Sequence, residues 1–405
     1  ASDVYKRQLI STLPPVRCGI ATYTAYLAEA LGRLYPVRTH RRVRDADPTA
    51  LVHVQHEFGI FPYADEVVAE RQLDNFKVIT WHTAMRDPGP LLDFYRVVDE
   101  HYDAHVVHTD LAKRYLRAYV RGRVEVIPHG SLIWEPLPKD KAREELGLPK
   151  HYRAVVFCFG FAAENKGLRE VLEVARSMPD VLFVMNAAPH GIVAQHSLAT
   201  ISALQAERPD NALVLGRYLE EGEVDLWASA ADVLLFNYKT PGFIASASGA
   251  LHRVLAARRP IVASRDPRLV ELEDGVHALK FDRGDTEEMA WCIRLLLEDR
   301  DLAERLARNA RRLAEQTSWE RVALMHKRLY ESILAEWFGP EFFGPEWYDA
   351  DYFKHGAKVY FTPEGERRTW GYVESDTVNW LGWRDVARAL KAIFGVGPYL
   401  DVGTG

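Results

Sequence analysis

Residues 154–175 constrain the fold more than any other stretch of this chain. Ala154 to Phe159 is a continuous apolar run closed by Gly160. It is too short for a typical helix and too uniformly apolar for a half-exposed strand, so it predicts a parallel strand buried on both faces. A short polar turn follows, then Lys166-Gly167, then Leu168 to Ala175 with apolar residues at helical spacing. Strand, tight turn, lysine and helix start make a place where phosphate can be held. Free amides and the helix dipole face the anion, and the ammonium adds a full charge. The same residues also suit an ordinary strand-to-helix turn with a surface lysine.

Strand and helix patterns alternate on both sides of this stretch, which predicts two similar α/β domains with this strand opening the second. The composition permits it: 405 residues, 48% hydrophobic and 27% charged, are enough for more than one core. A net charge of −6 provides no global basic field for nucleic acid. Cys18, Cys158 and Cys292 show no paired spacing, which argues against a disulfide framework or a zinc site and suits a reducing cytoplasm. No apolar run reaches the roughly 20 residues that span a bilayer, and no secretory signal is visible. Asp3 to Gln8 reads as a translated transposon-end sequencing adapter, so residues 1–8 are set aside as an artefact. With the chain stopping in mid-motif at Gly405, the expectation is a gene fragment cut at both ends.

In the first half, strands are expected at Leu9–Leu13, Ala50–Val54, Val78–Trp81, His105–His108 and Val124–Ile127. A helix is expected over Ile20–Leu31, with Ile20, Tyr23, Leu27 and Leu31 on one face. Gly19 at its start either lets a ligand approach the backbone or simply turns the chain. The arginine-dense Arg38–Arg44 segment is a solvated edge or a contact for an anionic acceptor. Gln55-His56-Glu57 and His82 follow strand C-terminal ends, where parallel sheets bind ligands. His53 and His56 point to opposite sheet faces, which argues against a shared metal. A helix-to-strand change separates His101 from His105, and no cluster of Asp, Cys or His completes a metal site. Pro136 to Lys141 reads as a linker. The second half adds strands at Val181–Met185, Ala212–Leu215, Asp232–Phe236 and Pro260–Ala263. Its helices are expected at Ile192–Gln205, Glu221–Ala230, Thr286–Leu297, Leu302–Glu315 and Trp319–Trp337, with a further one running through Ala257 from an N-cap at Ser246 or Ser248. Small residues there leave the first amides open to an anion, or simply allow close packing.

Taken in order, these segments resemble a known family. Leu9 to about Trp337 resembles the family-4 group of retaining, nucleotide-sugar-dependent glycosyltransferases. That resemblance implies an α/β, GT-B architecture: two Rossmann-like domains facing a cleft. It is carried by Arg17-Cys18-Gly19-Ile20-Ala21-Thr22-Tyr23, Thr80-Trp81-His82-Thr83, Val126-Ile127-Pro128-His129-Gly130, Gly160 with Lys166-Gly167, Ala256 to Val262 and Trp319-Glu320-Arg321. No single motif is specific; their order and spacing are. The implied boundaries are 9–140 for the acceptor-side domain and 141–337 for the nucleotide-sugar domain with its closing helix. Lys166 would neutralise the donor diphosphate beside Gly160 and Gly167. Ser248, Gly249 and Ala250 would offer helix-start amides, and His129, Gly130 and Gly19 would border the donor. His82 would sit near the sugar and act with Lys166 in catalysis. The implied reaction moves a hexose from a nucleotide-diphosphate sugar to a glycan or lipid-linked acceptor, in surface polysaccharide synthesis. It requires no metal and no cofactor, and is compatible with peripheral membrane association. The family's basic residue after the glycine is replaced here by Phe161-Ala162, and its two glutamates by Ala245 and Arg253. Two rivals stay open: a nucleotide-sugar epimerase of the same fold, and a non-catalytic sugar-nucleotide-binding scaffold, which Ala245 and Arg253 favour. Arg253 would be a phosphate contact if it compensates.

Residues 338–382, with Phe-Gly-Pro-Glu twice over, read as a linker. Residues 383–405 resemble the first helix, strand and glycine turn of a class I S-adenosylmethionine-dependent methyltransferase, with Asp401, Gly403 and Gly405 in the cofactor turn. The strands that would complete such a sheet are absent from these residues, so the segment is expected to be an inactive start of an incomplete α/β unit. Isothermal titration with S-adenosylmethionine is expected to give no stoichiometric binding; one tight site per chain would overturn that reading.

Overall fold

A computed structural model of the chain describes residues 7–47, 50–61, 64–68, 76–189, 194–338, 357–361 and 367–371. Their fold is built on two parallel sheets of six strands each. The first half contains β1 (Arg7–Ile10), α1 (Gly19–Gly32), β2 (Val37–His40), β3 (Leu51–His56), α2 (Ala64–Val68), β4 (Lys77–Trp81), β5 (Thr83–Met85), α3 (Leu92–His101), β6 (Ala104–Val107), α4 (Asp110–Leu116) and β7 (Arg123–Val126). Its sheet has the order β2-β1-β3-β4-β6-β7. The second half contains α5 (Lys139–Glu145), β8 (Ala154–Phe161), α6 (Leu168–Ser177), β9 (Val181–Ala188), α7 (Ala194–Glu207), β10 (Ala212–Leu215), α8 (Glu221–Ala230), β11 (Val233–Phe236), β12 (Ile244–Ser246), α9 (Gly249–Val254), β13 (Ile261–Ser264), β14 (Leu279–Phe281), α10 (Thr286–Glu298), α11 (Arg300–Gln316) and α12 (Trp319–Phe338). Its order is β10-β9-β8-β11-β13-β14, the doubly wound arrangement. A hairpin of β15 (Ala357–Phe361) and β16 (Arg367–Gly371) lies inside the segment read as a linker.

The predicted central strand is β8, buried from Ala154 to Cys158. It runs past Gly160 to Phe161 because β9 pairs with it along its whole length, so Gly160 lies within the strand rather than ending it. α6 buries Val171, Leu172, Val174 and Ala175 against that sheet and turns Arg169, Glu173 and Arg176 outward, as its spacing requires. Two other expectations change. Arg7 and Gln8 belong to β1, and Gln8 is fully buried, exchanging side-chain hydrogen bonds with the Asp47 backbone at 3.0 and 2.8 Å. These two residues are therefore part of the sheet and not an appendage. The Pro136–Lys141 linker is shorter than expected, since α5 begins at Lys139. α7 begins at Ala194, and residues 190–193 lie outside the described ones. So do the expected helix Trp383–Phe394 and Asp401, Gly403 and Gly405.

Two features join the halves. α12 crosses back to the first sheet, where Trp319, Val322, Tyr330 and Ile333 share a core with Leu9, Tyr23, Leu27 and Leu31. β12, from the second half, pairs antiparallel with β5 from the first, setting Ala245 opposite Ala84 and Ser246 opposite Thr83. No helix among the described residues is long and apolar enough to cross a membrane.

The return of α12 depends on Gly130. A Cβ there would stand 2.2 Å from the Trp319 ring, and Trp319 is 5% exposed with no room to retreat. Gly130→Ala is expected to cost about 2 kcal/mol or more, as overpacking of a tight core does. Urea denaturation checks this; an unchanged midpoint would mean that α12 does not need the close approach.

Candidate active site

Topology places the site before any side chain is considered. In a doubly wound sheet, ligands bind outside the strand C-termini where the order reverses. In the second sheet that point lies between β8 and β11, whose ends carry Gly160, Asn237 and Tyr238. A small hollow of about 10 Å³ is lined there by Cys158, Phe159, Gly160, Phe161, Lys166, Asn186 and Tyr238, among others. That is room for about one water.

Lys166 closes a single 3-10 turn, Glu164–Lys166, and Gly167 then enters the left-handed region at φ 54° to start α6. Gly167 also packs against Asn237, whose Nδ2 donates to the Gly167 carbonyl at 2.7 Å. A Cβ on Gly167 would fall 2.4 Å from that nitrogen. The turn is thereby pinned, and Lys166 Nζ is held 3.5 Å over the Tyr238 ring. Gly160 leaves space beside it, since a Cβ there would meet Lys166 Cε at 3.7 Å. Burial, and then the charge of Arg268, lower the Lys166 pKa to about 7, against a smaller opposing pull from Asp266. Cys158 and Tyr238 are both pushed up to about 12 by burial, so the walls are neutral.

The first half holds a chain of packed imidazoles. Tyr23 on α1 sits at its centre, 4.6 Å from His82, 5.2 Å from His108, 5.0 Å from His129 and 5.0 Å from Trp319, ring to ring. His129 stacks on His252 of α9 at 4.8 Å, which carries the network into the second half. His252 is held in turn by Ser131 at 2.8 Å and Glu271 at 3.1 Å. His108 Nδ1 donates to the Ile127 carbonyl at 2.9 Å and His108 Nε2 lies 3.2 Å from His82 Nδ1. In a neutral chain His82 Nδ1 is therefore the donor and its Nε2 an acceptor. Gln55 Oε1 stands 3.1 Å from His82 Nε2, so this tautomer requires the Gln55 amide to be turned until its NH2 donates there. Burial lowers His82, His53 and His129 well below the usual imidazole value, and His108 and His326 to about 4.

The structure brings His82, His129 and Gly249 into one neighbourhood, with His129 Nε2 3.4 Å from where a Gly249 Cβ would stand. Ser248 is the N-cap of α9: its Oγ accepts from Leu251 N at 3.2 Å and pairs with Tyr238 OH at 2.8 Å. The helix is shorter than expected, giving way to a 3-10 turn at Leu255–Ala257, and Gly249 and Ala250 open its first turn. Gly19 begins α1, and a Cβ there would meet nothing within 4 Å. Gly130 is spoken for by Trp319. Arg253 does not face the hollow: it pairs with Asp225 at 2.5 Å and donates to the Glu221 carbonyl at 2.8 Å. Its expected role as a phosphate contact is therefore corrected. His53 and His56 lie on opposite faces as expected, His53 against Tyr330 at 2.6 Å and His56 against the Phe61 carbonyl at 3.1 Å.

Sequence reasoning missed Tyr238 and Arg268 and gave Glu57 only a place at a strand end. Glu57 follows β3 directly, accepts from Thr83 Oγ1 at 2.7 Å and from Phe58 N at 3.1 Å, and is raised by burial. Its place at a strand C-terminus was legible; its electrostatic contact with Arg268, from the other half, was not.

No protein-family model matches the chain, and no curated protein matches it. Solved structures do. Sucrose-phosphate synthase from Thermosynechococcus elongatus is 18% identical, with a TM-score of 0.66 over 82% of this chain and 99% of that one. HepE from Anabaena, solved in complex with UDP and glucose, is 16% identical with a TM-score of 0.62, covering 81% and 100%. A glycosyltransferase from Rickettsia africae is 12% identical with a TM-score of 0.61, covering 82% and 99%. At these identities the likeness establishes the fold, and the expected GT-B arrangement of two α/β domains is the one observed.

The imidazole chain has a consequence for pH. The rings are held neutral, so as pH falls the unfolded chain takes up protons before the folded one, and stability drops. The window runs from about pH 6.5, the ordinary imidazole value, to about pH 4, where His108 and His326 titrate when folded. The melting temperature is expected to fall throughout this window. A flat profile would mean that the rings are already protonated in the folded state.

Proposed function

We propose that this chain is a glycosyltransferase that moves a hexose from a nucleotide-diphosphate sugar, of the UDP class, to a glycan or lipid-linked acceptor. The observation that carries the reading is Lys166. It is a desolvated cation at the switch point of the second sheet, set over Tyr238 and without a hydrogen bond or ion pair among the described residues. The GT-B fold supports the same reading, since a structure with this fold was solved with UDP and glucose. Breaking a glycosyl–phosphate bond develops negative charge on the leaving diphosphate, and a preorganised cation in a dry cleft stabilises that charge most.

In this reading Lys166 meets the diphosphate, with Gly160 leaving room for it and the amides of Gly249 and Ala250 approaching from α9. His82, neutral within its chain, lies beside the sugar as a polar contact rather than a proton donor. Gly19 and His129 border the donor from the first domain. Retention of configuration and transfer without a metal belong to this proposal, as do an acceptor in surface polysaccharide synthesis and a cytoplasmic site of action. The hollow is too small to receive a nucleotide as it stands, so binding must move the walls apart near Tyr238.

One observation favours a second reading, a sugar-nucleotide-binding scaffold without turnover. Ala245 is fully buried in the β5–β12 ladder and Arg253 is tied to Asp225, so neither position presents a carboxylate to the cleft.

A thermal-shift and turnover screen of the chain with UDP-, GDP-, ADP- and TDP-sugars separates the two. Stabilisation by one donor with slow donor hydrolysis, weakened at least about tenfold in Lys166→Ala, is the expected result; loss of one charged hydrogen bond costs about that much. Binding without turnover in the presence of mixed glycan and lipid-linked acceptors would favour the scaffold. No stabilisation by any donor would sink both.

A further inference from the structure

Two cations lie at the end of the second sheet, and neither makes an ion pair among the described residues. Lys166 is the first. The second is Arg268, on the 3-10 turn Pro267–Leu269 that leaves the C-terminal end of β13. β13 pairs with β11, and Ser264 Oγ ties the two ends by accepting from Tyr238 N at 2.9 Å and donating to Tyr238 O at 2.8 Å. The Asp266 carboxylate fixes the turn by accepting from Arg268 N at 2.9 Å and Thr240 N at 2.6 Å. It is thus occupied with backbone amides and leaves the guanidinium unpaired. Arg268 Nε is buried without a hydrogen-bond partner. The guanidinium acts electrostatically on Lys166 and Tyr238 in its own half and on Glu57 across the cleft.

Lys166 lines the hollow and the Arg268 guanidinium lies within electrostatic reach of it, so the two like charges repel each other, and an anion between them relieves that repulsion. We propose that Arg268 is the second arm of a diphosphate clamp with Lys166, replacing the basic residue that the chain lacks at Phe161 and Ala162. The fork of a guanidinium suits two phosphate oxygens, where an ammonium offers a point charge. Glu57, the carboxylate within electrostatic reach of Arg268 from the first domain, balances the arm until the anion arrives. The inference rests on reading this hollow as the donor diphosphate site.

The test is isothermal titration of the full chain with inorganic pyrophosphate, UDP and uridine, using wild type, Lys166→Ala, Arg268→Gln and Arg268→Lys. Expected is a loss of about tenfold or more in pyrophosphate and UDP affinity in Arg268→Gln, partial recovery in Arg268→Lys, and unchanged uridine binding. A pH series adds a readout that mere misfolding would not move. The titratable and charged groups acting on Lys166 are Cys158 and Tyr238 of the hollow and the charges of Asp266 and Arg268. Cys158 and Tyr238 stay neutral to about pH 12. Affinity should therefore fall as pH rises past about 7, where Lys166 loses its proton. In Arg268→Gln that fall should move to higher pH, because a repelling charge has gone; the ligand's own ionisation is common to both proteins. UDP binding that depends on Lys166 but is unaltered by Arg268→Gln in strength and pH profile would overturn this inference and leave the proposed function standing. Pyrophosphate binding that needs both residues, without turnover of any nucleotide sugar, would do the reverse. No binding of pyrophosphate or UDP by wild type would end both.

Discussion

The structure depends on an aromatic joint that must stay uncharged. Tyr23 lies fully buried among His82, His108, His129 and Trp319, and His129 passes the contact on to His252. Imidazole is the one ring that titrates near neutral pH, so packing several together is stable only while burial keeps them neutral. In return each ring offers an apolar face and two polar edges, and the edges satisfy one another along His82 and His108 to Ile127. The joint thus ties the two halves together through the stacking of His129 on His252.

The β5–β12 ladder adds a second connection and changes what the cleft can present. Ala245 opposite Ala84 lies in the core of the first half. A carboxylate there would be buried in a two-stranded bridge, so the small side chain follows from the pairing. The same holds for Arg253, whose charge stabilises α9 against α8 through Asp225. Ala245 thus serves the joining of the halves, and Arg253 the packing of α9 on α8 within the second.

Much of the architecture was legible in the sequence because it rests on local periodicity. The apolar run of β8, the spacing of α6, the strand ends bearing Glu57 and His82, and the opposite directions of His53 and His56 all follow from backbone geometry. The strand that runs through Gly160 was not legible, since its extension is imposed by β9. Nor was the membership of Arg7 and Gln8 in β1, which depends on Asp47 and on β2 and β3 closing over them.

The sequence by itself determined the two α/β halves, the lysine-bearing turn and the positions where acids are lacking, because each is written in contiguous residues. Only the tertiary structure decided that α12 returns to the first sheet, that His82, His108 and His129 from three separate segments meet around Tyr23, and that Arg268 comes within electrostatic reach of Lys166. Those contacts join residues up to some hundreds of positions apart. Burial and charge at such distances are properties of the packed chain, and no local pattern encodes them.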